Sequence, residues 1–213
     1  MLALFDLDDT LIDRRGGLED WARGFVRSRR LPSETVFVIC DRLRERACPS
    51  DFVELRETLG LVDAPDALWH EYVTGVARSV RCAPQVREWL RELRAAGWTI
   101  GIATNGAGDV QRAKLAAAGL TSFFDGICVS EEIGVRKPAY EHFETAALLC
   151  GSDLAAGGWM VGDNPDTDIA GGRMAGLRTA WVTAGREWGD GPHQSDVVAR
   201  DVTEAIGAML AAA

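Results

Sequence analysis

No long hydrophobic run occurs anywhere in the 213 residues. A membrane-spanning helix needs roughly 20 consecutive apolar residues, and charges or glycines interrupt every apolar stretch here sooner than that. Met1–Phe5 is too short for the apolar region of a secretory leader, and Asp6 interrupts it at once. The expectation is a cytoplasmic protein with no membrane partner. Paired cysteines are missing as well. Cys40, Cys48, Cys82, Cys128 and Cys150 are odd in number and share no short spacing, which argues for free thiols rather than a disulfide framework or a zinc motif. His70, His142 and His193 show no metal-ligand spacing and read as structural or exposed. Positive charge is not in excess either: the net charge is −9 and the pI about 4.9, which argues against nucleic acid as a partner. A small anionic ligand stays open, because a local metal and a lysine can invert the field of a pocket.

What the chain does have is apolar material, 47% of its residues, enough for a sizeable core. Three regions differ in pattern. Residues 2–6 read as a strand. Residues 14–80 are arginine-rich, and their apolar positions recur at helical spacing: Trp21 with Phe25, Ile39 with Leu43, then Phe52, Leu55 and Leu59, then Leu68, Trp69, Tyr72, Val73 and Val76. This predicts about four amphipathic helices, with Pro32, Pro49 and Pro65 between them or at their starts. Ser33 and Ser50 are the expected N-terminal caps or first-turn residues. Trp21 and Phe25 read as packing residues, and the arginines as a solvated face, with Arg14 and Arg15 the nearest to any site.

Beyond residue 82 strands and helices alternate. Strands are expected at 98–104, 127–130, 159–161, 179–183 and 196–198. Helices are expected through 86–93, up to Gly119, over 138–150, up to about Gly176, and over 202–210. Such alternation predicts an α/β fold, a doubly wound parallel sheet with helices on both faces and ligands beyond the carboxyl ends of the strands. The domain division follows: a core from 1–13 and 81–213, and a helical insert over 14–80.

Those carboxyl ends carry the chemistry. Asp6 and Asp8, two apart on an extended chain, point the same way. Thr104-Asn105-Gly106 ends the second strand, Arg136-Lys137-Pro138 follows the third, and Gly162-Asp163-Asn164-Pro165-Asp166-Thr167-Asp168 follows the fourth. Asp166 is placed as a helix cap. Asp6, Asp8, Asp163 and Asp168 bring about four negative charges and Lys137 returns one, while a phosphate monoester adds roughly two more negatives. The pocket needs a divalent cation, and oxygen-only ligands favour Mg²⁺. The inventory suits phosphoryl transfer, where positioning and charge neutralisation supply most of the catalysis.

Together these residues resemble the haloacid dehalogenase-like (HAD) superfamily, phosphatase type, with a helical cap after the first strand. Four motifs occur in that family's order: Asp6-Leu7-Asp8-Asp9-Thr10, Thr104-Asn105, Lys137-Pro138, and Gly162-Asp163 with Asp168-Ile169-Ala170-Gly171-Gly172. The resemblance implies a Rossmann-like core under a cap, and a Mg²⁺-dependent phosphatase acting on a small phosphorylated metabolite. Asp6 would be the nucleophile, forming an aspartyl-phosphate. Asp8 would protonate the leaving oxygen and then activate water. The Asp6 carboxylate, the Asp8 backbone carbonyl and Asp163 would hold Mg²⁺. Thr104 and the Asn105 amide would grip the phosphoryl oxygens, Lys137 would neutralise charge, and Asp168 would orient Lys137 or a metal-bound water. Thr10 would shape the turn through a local backbone hydrogen bond. Asp8 argues against a dehalogenase, which resembles this pattern at the nucleophile but lacks the second aspartate. A phosphomutase remains open, because the cap decides whether water enters. A receiver-like phosphoacceptor is disfavoured by the length of the chain and its helical insert.

Overall fold

The computed structural model describes residues 1–185 and 194–212, so His193 lies outside the described residues. Six parallel strands form one sheet: β1 (Leu2–Phe5), β2 (Thr99–Thr104), β3 (Gly126–Val129), β4 (Trp159–Gly162), β5 (Arg178–Val182) and β6 (Val197–Ala199), in the order β3-β2-β1-β4-β5-β6. This is the expected doubly wound α/β architecture. The strand sequence LALF explains how β1 takes the centre. Its side chains alternate between faces, and each face meets its own apolar layer. Ala3 and Phe5 join Ile100, Ile102, Leu90 and Ile206 on one side. Leu2 and Leu4 join Ala103, Phe143 and Met160 on the other.

The first layer is covered by α5 (Pro84–Ala95), α6 (Gly108–Ala117) and α10 (Val202–Ala211). The second is covered by α8 (Tyr140–Leu149) and the short α9 (Gly171–Met174). A four-residue helix, α7 (Ser130–Ile133), follows β3, and Pro165–Ala170 forms a π-helical turn after β4. Gly97 ends α5 region in the left-handed conformation, φ 78°, as its position after the last periodic residue implies.

Four helices fill the insert: α1 (Arg14–Ser28), α2 (Thr35–Arg42), α3 (Pro49–Thr58) and α4 (Pro65–Ser79). Their apolar faces bury a separate cluster in which Trp21, Phe25, Phe52 and Tyr72 meet as rings. The cluster extends onto the core through Ala107 at the head of α6 and Val110 within it. Trp69 Nε1 also donates to Asp109 Oδ2 of α6 at 2.8 Å. The insert therefore rests on α6.

Local details differ from the sequence expectation at Ser33, Asp166 and Asp196. Ser50 lies in the first turn of α3, as expected, with Cys48 at the cap position and its backbone N–H donating to Asp51 Oδ2 at 2.8 Å, whereas Ser33 precedes the cap position of α2, which Glu34 occupies. Asn164, not Asp166, caps the π-helical turn, accepting from the amides of Asp166 and Thr167. Asp196 is drawn out of the β6 ladder because its carboxylate accepts from the Thr179 amide at 2.8 Å. Each shift is decided by which short polar side chain reaches an orphan N–H, a matter of one or two residues. No helix among the described residues is long and apolar enough to cross a membrane.

Candidate active site

The strand order places the site. β1 has β2 on one side and β4 on the other, so the chain winds outward one way from β1 to β3 and the other way from β4 to β6, and a crevice opens at the carboxyl end of β1. Asp6 follows β1 directly and is pinned to β4 by its amide, which donates to Val161 O at 2.9 Å. Thr104 ends β2, and Asp163 follows β4. A cleft of about 1010 Å³ lies over these ends, lined by Asp6, Asp8, Asn105, Lys137, Asp163 and Asp168 from the core and by residues of α1, α2 and the loop after α2 from the insert.

Lys137 is the centre of one charge cluster. It is 3% exposed, with Nζ 2.8 Å from Asp6 Oδ1 and 2.7 Å from Asp168 Oδ1. Asn105 holds the lysine's backbone in both directions, accepting from its N–H at 3.0 Å and donating to its carbonyl at 3.1 Å. Asp168 reaches under the end of β4 because residue 162 is glycine; a Cβ there would collide with the Asp168 carboxylate. Asp6, Asp163 and Asp168 offer oxygens that lie within 4.8 Å of one another. One lysine does not balance three carboxylates. Burial, together with the Asp168 and Asp163 charges, pushes the Asp6 carboxyl up to about 8 against the pull of Lys137. That imbalance, with an all-oxygen donor set, fits a hard divalent cation such as Mg²⁺. The Asp168 carboxylate, expected to orient Lys137, meets that lysine and also lies close to the Asp6 and Asp163 oxygens.

Asp8 belongs to a second cluster. Its side chain meets Lys114 Nζ at 2.8 and 2.9 Å, Gln111 Nε2 at 3.2 Å and Arg14 Nε at 3.6 Å. Burial alone would raise the Asp8 carboxyl, but Lys114 and Arg14 outweigh it and hold the group below the usual carboxylate range. The two aspartates thus have separated proton affinities, Asp6 raised and Asp8 lowered. Asp8 has a cation dedicated to it, whereas Asp6 shares one. Lys137 meets Asp6 as expected but is shared with Asp168, while Lys114 meets Asp8.

Lys114 and Gln111 were not legible as site residues, yet a signal existed. The chain has only two lysines, Lys114 and Lys137, among 23 basic residues. Both are buried against site aspartates. Thr104, 1% exposed, sits where expected, and its Oγ1 accepts from Gln111 Nε2 at 2.8 Å. Thr10 does not make the expected local bond: its Oγ1 is buried without a hydrogen-bond partner. Arg14 and Arg15 are already engaged, Arg14 with Asp8 and the carbonyls of Leu43 and Arg44, Arg15 with Asp9 at 3.3 Å. Arg46 and Arg136, in contrast, line the cleft and make no ion pair among the described residues; burial and the Arg46 charge together lower the Arg136 guanidinium.

Comparison with known proteins identifies the family. Residues 3–182 match the haloacid dehalogenase-like hydrolase family. A phosphoserine phosphatase of Thermus thermophilus is 38% identical over 122 residues, 57% of this chain and 48% of that protein, so the chain spans about half the length of this curated relative. A HAD-hydrolase from Bacillus subtilis whose crystal structure is bound to magnesium superposes with a TM-score of 0.73 at 20% identity, over 98% of this chain and 97% of that one. An L-2-haloacid dehalogenase from Xanthobacter autotrophicus superposes with a TM-score of 0.77 at 19% identity, over 100% and 99% of the two chains. At such identities the structural matches speak for the fold alone. With the family match covering most of the chain and the sheet carrying its four motifs at one edge, the chain belongs to the haloacid dehalogenase-like hydrolases.

Proposed function

We propose that this chain is a Mg²⁺-dependent phosphatase that hydrolyses a small phosphomonoester through an aspartyl-phosphate on Asp6. The observation that carries the reading is the buried Asp6–Lys137–Asp168 set, at 2.8 and 2.7 Å, with Asp163 beside it at the carboxyl edge of the sheet. It is supported by the phosphatase named among the relatives and by Asp8, which the dehalogenase pattern lacks.

Asp6, Asp163 and the Asp8 backbone carbonyl would hold Mg²⁺, with the Asp168 carboxylate near enough to join them or to orient a ligand. The cation supplies charge screening that lets a carboxylate approach a phosphoryl group. A carboxylate oxygen of Asp6 attacks phosphorus, and the bond from phosphorus to the ester oxygen breaks as Asp8, which takes up a proton when the negative phosphoryl group enters beside it, gives that proton to the ester oxygen. Asp8 then takes a proton from a water molecule, whose oxygen attacks phosphorus, releasing phosphate and restoring Asp6. Thr104 and the Asn105 amide grip the phosphoryl oxygens. Lys137 offsets their charge and stays a cation throughout, since Asp168 and Asp6 outweigh its burial and raise its proton affinity. Helices of residues 14–80 act as a cap over a core of 1–13 and 81–213, excluding water and presenting the leaving-group site. Arg46 and Arg136 in the cleft lining offer cationic groups to an anionic substrate.

The test is turnover of a panel of phosphorylated metabolites. Hydrolysis should vanish with EDTA, return with Mg²⁺ and be absent from a folded Asp6→Asn variant. Turnover that survives either treatment would exclude the mechanism.

A further inference from the structure

Gln111 and Lys114 lie on α6, outside the four family motifs, and are 1% and 2% exposed. A lysine ammonium only donates hydrogen bonds. The Gln111 atom that meets Lys114 Nζ at 3.0 Å is therefore its carbonyl oxygen, Oε1. This settles the other end of the amide. Its Nε2 donates to Thr104 Oγ1 at 2.8 Å and to Asp8 Oδ2 at 3.2 Å. Thr104 Oγ1 already accepts one proton, so the hydroxyl's own hydrogen is turned away from Gln111. Lys114 meanwhile meets both oxygens of Asp8, at 2.8 and 2.9 Å, and so fixes the plane of that carboxylate as a single bond would not. One turn of one helix thereby sets the hydrogen-bonding direction of a residue at the end of β2 and of a residue just after β1.

Charge balance alone does not require this arrangement. The protein carries arginine at nearly every other basic position. An ammonium differs from a guanidinium in being a compact charge that places donors on two oxygens and an amide carbonyl in so small a space.

We propose that Gln111 and Lys114 are positioning residues: Gln111 aims the Thr104 hydroxyl proton at a phosphoryl oxygen, and Lys114 holds Asp8 in line with the leaving oxygen. The inference rests on the phosphatase reading and adds to it the two groups that orient its donor and its acid–base residue. Were the pair merely filling and neutralising the interior, its loss would weaken every substrate's turnover alike.

Leaving groups separate these roles. p-Nitrophenolate departs without a proton, whereas the alkoxide of glycerol 3-phosphate needs one. With Mg²⁺ present, Lys114→Met is expected to lower kcat on the order of a hundredfold for glycerol 3-phosphate and less than about tenfold for p-nitrophenyl phosphate. Gln111→Glu keeps the volume but replaces the donor with an acceptor, drawing the Thr104 proton away from substrate. It is expected to weaken inhibition by orthovanadate, a phosphoryl mimic, by about tenfold or more. Thermal melting establishes that each variant folds; should Lys114→Met not fold, Lys114→Gln takes its place. Equal losses on the two esters overturn the role of Lys114, and unchanged orthovanadate affinity overturns that of Gln111. Absence of hydrolysis in the unaltered protein overturns the phosphatase reading itself and this inference with it.

Discussion

Lys137 shows how much one side chain decides. Its stem runs through the interior and its ammonium meets two carboxylates, each within 2.8 Å. Substituting methionine keeps the stem and deletes the charge, leaving Asp6 and Asp168 buried without a counter-ion. Removing one partner of a buried pair typically costs about 3–5 kcal/mol. Lys137→Met is therefore expected to lower urea-unfolding stability by about that amount in metal-free buffer. A loss under about 1 kcal/mol would mean that the carboxylates are balanced elsewhere. Lys137 was visible in the sequence because Pro138 and the preceding strand frame it. Lys114 was not, because it sits inside α6 with no strand end or motif beside it to frame it, and nothing local points to Asp8, 106 residues away. Helical periodicity reports which face of α6 is buried, and a buried lysine on that face reads as an exception rather than as a partner of a particular aspartate.

Among the elements, α6 carries the most connections. Val110 packs into the insert, Leu115 into the core, and Gln111 and Lys114 into the site between them. A shift of the insert would thus bear on the helix that orients Asp8. The second-face contact of β3 with α8 is set by a different device, the absence of a side chain. A Cβ at Gly126 would come within 2.6–2.7 Å of the Leu149 and Cys150 backbone, which has no flexible end to move. Gly126→Ala is expected to push α8 from the sheet and cost about 1–3 kcal/mol, read as a lowered melting temperature. An unchanged melting temperature would mean that α8 shifts without penalty. Strand and helix positions were legible to within a residue or two because alternation and 3.6-residue periodicity are local properties. The caps were less so, since several short polar residues competed for each orphan amide.

The stability of the whole molecule carries a titration of its own. His142 is fully buried with Nδ1 2.9 Å from Val135 O, while its Nε2 has no partner. Burial, with Lys137 nearby, holds the imidazole down to about 4 despite the Val135 bond. The folded state keeps His142 neutral between about 4 and 6.5, where the unfolded chain takes up a proton. The unfolded state therefore binds more protons in that window, so stability rises with pH across it and is lost on acidification. The contribution is up to about 3 kcal/mol between the two limits. A His142→Gln variant should show a shallower loss of stability from pH 6.5 to 4.5 in denaturant unfolding. Parallel curves for the two proteins would place the acid sensitivity in other groups.

The parallel α/β core, the helical insert between its first two strands and the motif residues at the strand ends could be read from the chain, because each depends on spacing along it. Tertiary structure alone decided which charges meet. It gave Asp6 a lysine shared with Asp168 and gave Asp8 one of its own, it put Asp168 within reach of the candidate metal position, and it engaged Arg14 with Asp8 and two carbonyls. Pairing of buried charges is fixed by which side chains converge on one low-dielectric volume, where a misplaced partner costs several kcal/mol. That convergence is a property of the packed sheet and α6, and no local stretch of the chain encodes it.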